Sequence, residues 1–237
     1  MNKILLLGLT LFAASCGDKI EVSGHREDVE RDLSGFHSIS VGSGIRTVIN
    51  HMDKDYVSVK TFTSVQKYVK TVIVNEVLYV ELEANTDFDN DPNIVVTIAA
   101  DALREVTLNS GVKATSDTES FADSDHFILA LSGGSTFTGD IICRQMDATL
   151  SDGSTMKLTG NAQELALVSS GGANADCRSF SADIFSTVLS GGSICDITVN
   201  DRINKATLSG GSRLTYRGTR IVNNASVTGG SELISKN

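Results

Sequence analysis

The acidic stretch at residues 87–91 (DFDND) is the clearest candidate for metal chemistry in this sequence. It offers carboxylate oxygens at alternate positions, as calcium-binding loops do. Compared with an EF-hand loop it departs twice, because Pro92 stands where glycine is needed and Ile98 where a bidentate glutamate is needed. We therefore favour a solvated acidic loop, and the alternative is a calcium site whose ligands would be Asp87, Asp89 and Asp91.

Groups suited to acid–base or nucleophilic catalysis are few and scattered. The four histidines (His25, His37, His51 and His126) include no H-x-x-x-H pair, and the chain has no G-x-S-x-G or P-loop motif. A glycan-cleaving enzyme needs clustered carboxylates, and Asp147 and Asp152 are the nearest to a group. The sequence favours a non-enzymatic protein without a cofactor, with an enzyme acting on envelope or extracellular polysaccharide as the alternative.

The first sixteen residues have the features of a bacterial lipoprotein signal. Lys3 gives a basic start, residues 4–14 are apolar but too short to span a membrane, and small residues precede Cys16. We expect cleavage before Cys16 and a lipid on its thiol, which would anchor the protein to the outer membrane, facing the periplasm or the surface. An ordinary cleaved signal peptide is the alternative.

The net charge and the cysteine spacing argue against two further kinds of partner, nucleic acid and a metal bound by cysteines. The net charge is −9, and the 11 basic and 20 acidic residues before Ser132 hold all of the acidic excess, which argues against a nucleic-acid partner. The remaining cysteines, Cys143, Cys177 and Cys195, form no C-x-x-C pair and no Cys/His metal pattern. We expect them to be small buried side chains.

A repeated sequence motif predicts the β-strands that would position any binding residue. Copies of Leu208-Ser209-Gly210-Gly211-Ser212 recur along the chain, and their second glycine falls at Gly111, Gly134, Gly153, Gly172, Gly192, Gly211 and Gly230. Units of 19–20 residues are too short for a βαβ unit or a propeller blade. The spacing predicts an all-β fold, a right-handed single-stranded parallel β-helix (β-solenoid) with about 19–20 residues per coil.

Residues at fixed distances from these glycines define the predicted core. Positions five and three before the glycine are mostly apolar, as in Ala206 and Leu208, and so are positions three after it, as in Leu214. Side chains two apart on a strand share a face, so we expect these to point inward. A coil with an odd residue count must reset this alternation at a corner, and glycine in a left-handed conformation can do so. Asp152, which replaces a first glycine, also tolerates that conformation.

We expect three parts in the chain. Residues 1–16 are the lipoprotein signal, residues 17–34 a charged tether, and residues 35–237 the β-helix, with less regular coils at 35–105 and regular Ser-Gly-Gly coils at 106–237. Asn75-Glu76 predicts a tight hairpin, so the N-terminal coils need not be wholly parallel. The helix signal is limited to one turn at residues 99–104.

With these features in place, the chain resembles a family of secreted bacterial proteins labelled putative auto-transporter adhesin, head GIN domain. The resemblance covers roughly residues 35–235 and is carried by residues 35–45 (GFHSISVGSGI), 78–82 (LYVEL), 93–98 (NIVVTI) and 103–111, and by the Ser-Gly-Gly-Ser coils. The family often has a proline where this chain has Ala100-Asp101. The resemblance implies a β-helical fold and export, and it offers no catalytic residues.

The leading hypothesis is a lipid-anchored adhesin or envelope scaffold that binds glycan or protein on its flat β faces. The candidate contact residues are outward positions between the glycine motifs: Thr149, Arg178, Thr207, Arg213, Thr215 and Arg217. A self-assembling module is a further alternative, because the terminal coil exposes a strand edge at residues 232–235 that could pair with a second copy.

Overall fold

A computed structural model describes residues 19–116, 125–219 and 221–236, and these form a β-solenoid of about 19 residues per turn. The described residues contain one short 3-10 turn, Gln66–Tyr68. The strands are β1 (Arg26–Arg31), β2 (Ser38–Val41), β3 (Arg46–His51), β4 (Tyr56–Phe62), β5 (Val69–Val74), β6 (Val77–Leu82), β7 (Val95–Ala100), β8 (Glu105–Leu108), β9 (Lys113–Ser116), β10 (His126–Leu131), β11 (Thr136–Leu150), β12 (Thr155–Ser169), β13 (Asn174–Leu189), β14 (Ile194–Leu208), β15 (Arg213–Gly218), β16 (Ile221–Val222), β17 (Ala225–Val227) and β18 (Glu232–Ser235). The predicted parallel β-helix is confirmed, and Cys16 lies outside the described residues.

In the regular coils, one long strand runs from each glycine corner around the coil to the next. Strands β11, β12, β13 and β14 stack in parallel, and β11 pairs with β12 at a constant offset of 19 residues, as in Leu150 with Ser169. The step from Gly172 to Gly192 is 20 residues. The pairing of β13 with β14 therefore shifts register. One of the shifts falls between Cys177 and Ser181, and it sets Arg178 in a bulge.

The glycine corner holds two consecutive residues in the left-handed region. At Gly210 and Gly211, φ is +63° and +76°, and Asp152 takes the same conformation with φ +52°. At five successive corners, from Gly134 to Gly211, the N–H of the second glycine donates to the carbonyl of the first corner residue in the next coil, as from Gly211 to Gly229 at 2.9 Å. These bonds form a ladder along the solenoid axis and confirm the predicted role of the glycines.

The core is filled by the predicted inward positions. Leu208, Leu214 and Ala206 are at most 1% exposed, and large aromatic side chains such as Phe137 and Phe185 are fully buried. The last serine of the glycine motif is buried as well, and Ser212 donates its hydroxyl to the carbonyl of Leu189 at 3.1 Å. Buried backbone carbonyls near the corner thus accept hydrogen bonds from side-chain hydroxyls.

The N-terminal coils mix parallel and antiparallel pairing. β2 pairs in parallel with β6 and β8, and β3 with β7 and β9, so the first corner stacks on the later ones. The predicted hairpin is confirmed, because β5 and β6 pair antiparallel around Asn75 and Glu76, both with positive φ. β4 adds antiparallel to β7. The helical turn expected at residues 99–104 is wrong, since β7 extends to Ala100.

The charged segment before residue 35 is only partly a tether. β1 pairs antiparallel with β4 along its whole length, from Arg26 opposite Phe62 to Arg31 opposite Val57. Its exposed positions include Arg26 and Glu30, so it is a charged edge strand, and the inward position of Val29 was too weak a signal to predict it. No helix among the described residues is long and apolar enough to cross a membrane.

We predict that Gly210→Ala destabilises the fold more than Gly211→Ala. Both residues have positive φ, so either substitution costs about 1 kcal/mol from the backbone. A Cβ on Gly210 would lie 3.0 Å from the amide nitrogen of Gly191 in the preceding coil, whereas a Cβ on Gly211 meets nothing within 4 Å. The contact should add about 1–3 kcal/mol. Urea unfolding checks this, and equal losses for the two variants would contradict it.

We also predict that the three core thiols are unreactive in the native protein. Burial raises the pKa of Cys143 to about 11 and that of Cys177 to about 12, and it raises the pKa of Cys195 as well. Unfolded thiols ionise near pH 8.5, so stability is constant below that pH and falls above it. In a Cys16→Ala variant at pH 8, a thiol reagent should label these cysteines only after denaturation, and fast native labelling would contradict this.

Candidate functional site

The most extended surface feature is one uncharged column of outward side chains, four residues before each second glycine. Strand pairing sets them in a row at about 4.8 Å intervals, roughly 38 Å in total. The column at this offset consists of Ser40, Thr107, Ala130, Thr149, Val168, Val188, Thr207 and Ser226. Tyr79 extends it by pairing with Ser40, although no corner glycine follows Tyr79. We call the surface around this column the ladder face. Two of the six predicted contact residues, Thr149 and Thr207, belong to it.

The ladder face is bounded on one side by the first hydroxyl of each glycine motif. These residues are Ser132, Ser151, Ser170, Ser190, Ser209 and Thr228, and each donates its backbone N–H to a carbonyl of the preceding coil at 2.9 Å. The other side carries both signs of charge, as at Asp147 and Lys205. The central column is more apolar than expected, because Val168 is 49% and Val188 40% exposed. The ladder face therefore offers methyl and hydroxyl groups on a rigid sheet.

The other predicted contact residues lie beyond the glycine corner. Arg213 is in a second outward column, where it pairs in register with Ile194 and Glu232, and its guanidinium contacts the Glu232 carboxylate at 2.9 Å. Thr215 follows on the same strand, but it is only 4% exposed and can offer little contact surface. Arg217 is half-buried and pairs in register with Thr198.

Arg178 lies in the bulge of β13, where it forms a local ion pair with Asp176. Its guanidinium donates two hydrogen bonds to the Asp176 carboxylate, at 2.8 and 2.7 Å. The side-chain hydrogen bond from Arg178 lowers the pKa of Asp176, and the same contact raises the pKa of Arg178. The structure thus distributes the six predicted residues over different faces, and it brings together only Thr149 and Thr207 in one column.

The acidic loop that follows β6 has a structural use. Asp87 lies 3.6 Å from the Lys19 amine, Asp89 accepts a hydrogen bond from the N–H of Val22, and Asp91 accepts one from Asn93. Ile20 also forms a bridge with Phe88. Asp87 and Asp89 hold the N-terminal segment against the loop, and Asp91 binds within the loop itself. The three carboxylates contact three different partners, an arrangement that leaves the calcium alternative without support from their geometry.

A second group of possible metal ligands was not predicted. His51, Asp53 and Asp101 have ligand atoms that all lie within 4.8 Å of one another. The parallel pairing of β3 with β7 sets His51 opposite Ala100, so the ends of the two strands bring these residues together. Only the pairing of two strands nearly 50 residues apart could have revealed this group. Both aspartates are exposed.

An open groove of about 560 Å³ lies beside the ladder face near β10. It is lined by Ser38, Ala102, Arg104, Glu105, Asp125, His126 and Ile128. Two of its titratable groups form ion pairs, because His126 contacts the Asp147 carboxylate at 2.7 Å and Asp125 contacts Arg144 at 3.3 Å. Asp147 is therefore engaged here, whereas Asp152 lies at the glycine corner, and the two do not form a pair.

Solved structures with the same fold come from Bacteroides and Parabacteroides species. A putative adhesin from Bacteroides fragilis NCTC 9343 superposes with a TM-score of 0.83, at 14% identity, over 91% of this chain and 99% of that one. A putative adhesin from Parabacteroides merdae ATCC 43184 has a TM-score of 0.73 at 15% identity, over 93% and 100% of the two chains. A putative lipid binding protein from Parabacteroides distasonis ATCC 8503 has a TM-score of 0.73 at 12% identity, again over 93% and 100%.

No curated protein matches the chain significantly in sequence. The structural likeness shows the fold alone, since the identities are low. The family model described as "Putative auto-transporter adhesin, head GIN domain" matches residues 35–219, which are most of the chain. The corner glycines, the strand columns and this match agree, and the chain belongs to that family.

Proposed function

We propose that this protein is a non-enzymatic, adhesin-like protein of the cell envelope that binds a glycan or protein on its ladder face. The observation that carries the proposal is the uncharged column from Tyr79 to Ser226, which is continuous across the coils. The family's description as an adhesin and the adhesin neighbours support the same class of function.

The chemistry of the ladder face suits an extended ligand. The side chains are short or β-branched and stand on paired strands, so little side-chain entropy is lost when a ligand binds. Methyl groups of Val168 and Val188 can pack against the apolar faces of sugar rings or side chains, while Thr149 and Thr207 can donate and accept hydrogen bonds. A polymer lying along the axis would meet a similar rung in every coil, so many weak contacts add up.

An enzyme acting on polysaccharide is less well supported by these contacts. Catalysis of glycoside hydrolysis needs one carboxylic acid and one carboxylate placed for different roles. In the groove beside β10, His126 contacts Asp147 and Asp125 contacts Arg144, so these groups form local ion pairs on the surface. The ladder face offers contact surface instead.

A lipid on Cys16 would hold the domain at the outer membrane. Support comes from the sequence, in which an apolar run and small residues precede Cys16. The ordered fold begins within a few residues of this position, because Ile20 pairs with Phe88 and β1 joins the sheet. The domain would therefore sit close to the membrane, with its ladder face exposed along its side.

We predict that a charge in the middle of the ladder face weakens binding of the ligand. Val188→Arg replaces a side chain that is 40% exposed in the ladder column, and Ile194→Arg replaces one that is 38% exposed in the second column. Both positions are on the surface, so both variants should fold. With the full chain on an immobilised glycan array and in pull-downs from envelope extracts, Val188→Arg should weaken binding at least about tenfold because it blocks a flat contact.

Ile194→Arg is the matched control and should bind as the wild type does. Loss of binding in Ile194→Arg alone would move the site to the second column. Normal binding by Val188→Arg would contradict the proposal. Circular dichroism of both variants confirms that the fold is retained.

We predict that Cys16→Ala removes both lipid and membrane attachment. Cells expressing the full chain are labelled with an alkyne fatty acid, and the purified protein is tested for the label. The wild type and Cys143→Ala should carry it, because the Cys143 thiol is buried in the core, and Cys16→Ala should not. Label that persists in Cys16→Ala would contradict the lipoprotein assignment, and protease treatment of intact cells reports which side the domain faces.

A further inference from the structure

Strand β5 forms one end of the ladder face and has a free edge. It pairs antiparallel with β6, and no other described strand pairs with it. Its sequence, VKTVIV, is strongly β-forming and contains no proline. Val72 and Val74 point outward and are 50% and 49% exposed. Natural edge strands are usually protected by charge, as β1 is in this protein, whereas β5 carries a single charged residue, Lys70, beside its two exposed valines.

The hairpin geometry shows which backbone groups are free. Asn75 and Glu76 form a two-residue turn with both φ values positive, and such turns are closed by a hydrogen-bonded pair, here Val74 with Val77. Hydrogen-bonded pairs alternate along an antiparallel ladder, so Val72 and Lys70 also bond to β6. The N–H and C=O groups of the intervening residues of β5, Val69, Thr71 and Ile73, therefore face the free edge.

We propose that β5 is a dimerisation edge, at which a second copy of this chain adds its own β5 antiparallel about a two-fold axis centred on Thr71. In this register Thr71 faces Thr71 of the second copy, and Val69 faces Ile73. The three free residues of each strand then meet as hydrogen-bonded pairs, which gives about six backbone hydrogen bonds by the antiparallel rule. The partner is another copy because the strand complements itself in this register.

The side chains are compatible with this register. On the outer face, Lys70 of one copy lies opposite Val72 of the other, so no two like charges are opposed. The Lys70 charge is already matched within each copy, since its amine lies 3.3 Å from the Glu83 carboxylate. On the inner face, the half-buried Thr71 and Ile73 become covered, and a Thr–Thr pair across antiparallel strands is favourable.

The opposite end of the solenoid is a poorer site for the same pairing. β18 has four residues, pairs with β15 on one side, and carries Glu232 in contact with Arg213. On the ladder face the last strand is β17, which has three residues. These edges offer fewer backbone groups than β5. Pairing through β5 would also join the ladder faces of two copies into one sheet, because Val72 is in register with Tyr79.

The test is sedimentation of the full chain in density-matched detergent over a concentration series. In the Val72→Lys variant, the new lysine of each copy would lie opposite Lys70 of the other copy, which gives two like-charge contacts. The dissociation constant of the dimer should therefore rise at least about tenfold. Val168→Lys is the matched control, since it is 49% exposed on the same face but far from the edge, and it should dimerise as the wild type does. Because no ligand is present, the result is independent of the proposed binding function.

A monomeric wild type at every concentration would overturn the proposal, and so would a dimer unaffected by Val72→Lys. Val227→Lys tests the other end, where Val227 is 41% exposed on β17; if this variant alone became monomeric, the interface would lie there and the proposal would be wrong. A Val72→Cys variant treated with a short bismaleimide on intact cells should give a cross-linked dimer, and the three thiols among the described residues are buried and should not react. Val168→Cys should give none.

Discussion

The fold depends on a backbone constraint at one corner. Two successive residues adopt positive φ, and the second donates its N–H to the next coil's first corner carbonyl, as Gly192 does to Gly210 at 2.8 Å. The stacked corners leave no room for a Cβ at most first positions, since one on Gly210 would lie 3.0 Å from the Gly191 nitrogen. The parallel register, the inward core and the straight ladder column all follow, because each coil begins again from the same conformation.

The regular half of this architecture could be predicted because its signal is repeated. Leu208 or Leu214 alone indicates little, but the same offsets at seven glycines define columns. The structure buries those columns except in the terminal coil, where Ala225 and Val227 are exposed. The irregular half has no such repetition. β1 was not predicted because its residues are mostly charged. Its position in the sheet is set by pairing with β4, more than 25 residues away. Antiparallel additions of this kind are tertiary effects that no local pattern encodes.

For the site, the sequence predicted which side chains point outward but not which of them share a face. Alternation separates inward from outward residues, whereas the assignment to a face depends on where each coil bends. Thr149 and Thr207 could be grouped by their common offset from the glycine, and Val168 and Val188 share that offset. Arg178 could not be placed, because a bulge precedes Ser181 and shifts the register there. The group of His51, Asp53 and Asp101 likewise appears only when β3 and β7 pair.

The repeated architecture allows such a protein to bind a ligand through many weak contacts. Tyr79 is the one aromatic side chain in the ladder column, and the column contains no arginine. The aromatic and arginine anchors that dominate most interfaces are therefore scarce on this face. Affinity must then come from the number of rungs engaged at once, which rises with the length of the continuous face. A second copy added at β5 would double that length without a new type of contact, and it would convert the second binding event into an intramolecular one. An exposed edge with a single charged residue, Lys70, at the end of the ladder face is therefore consistent with a surface whose binding strength depends on its length.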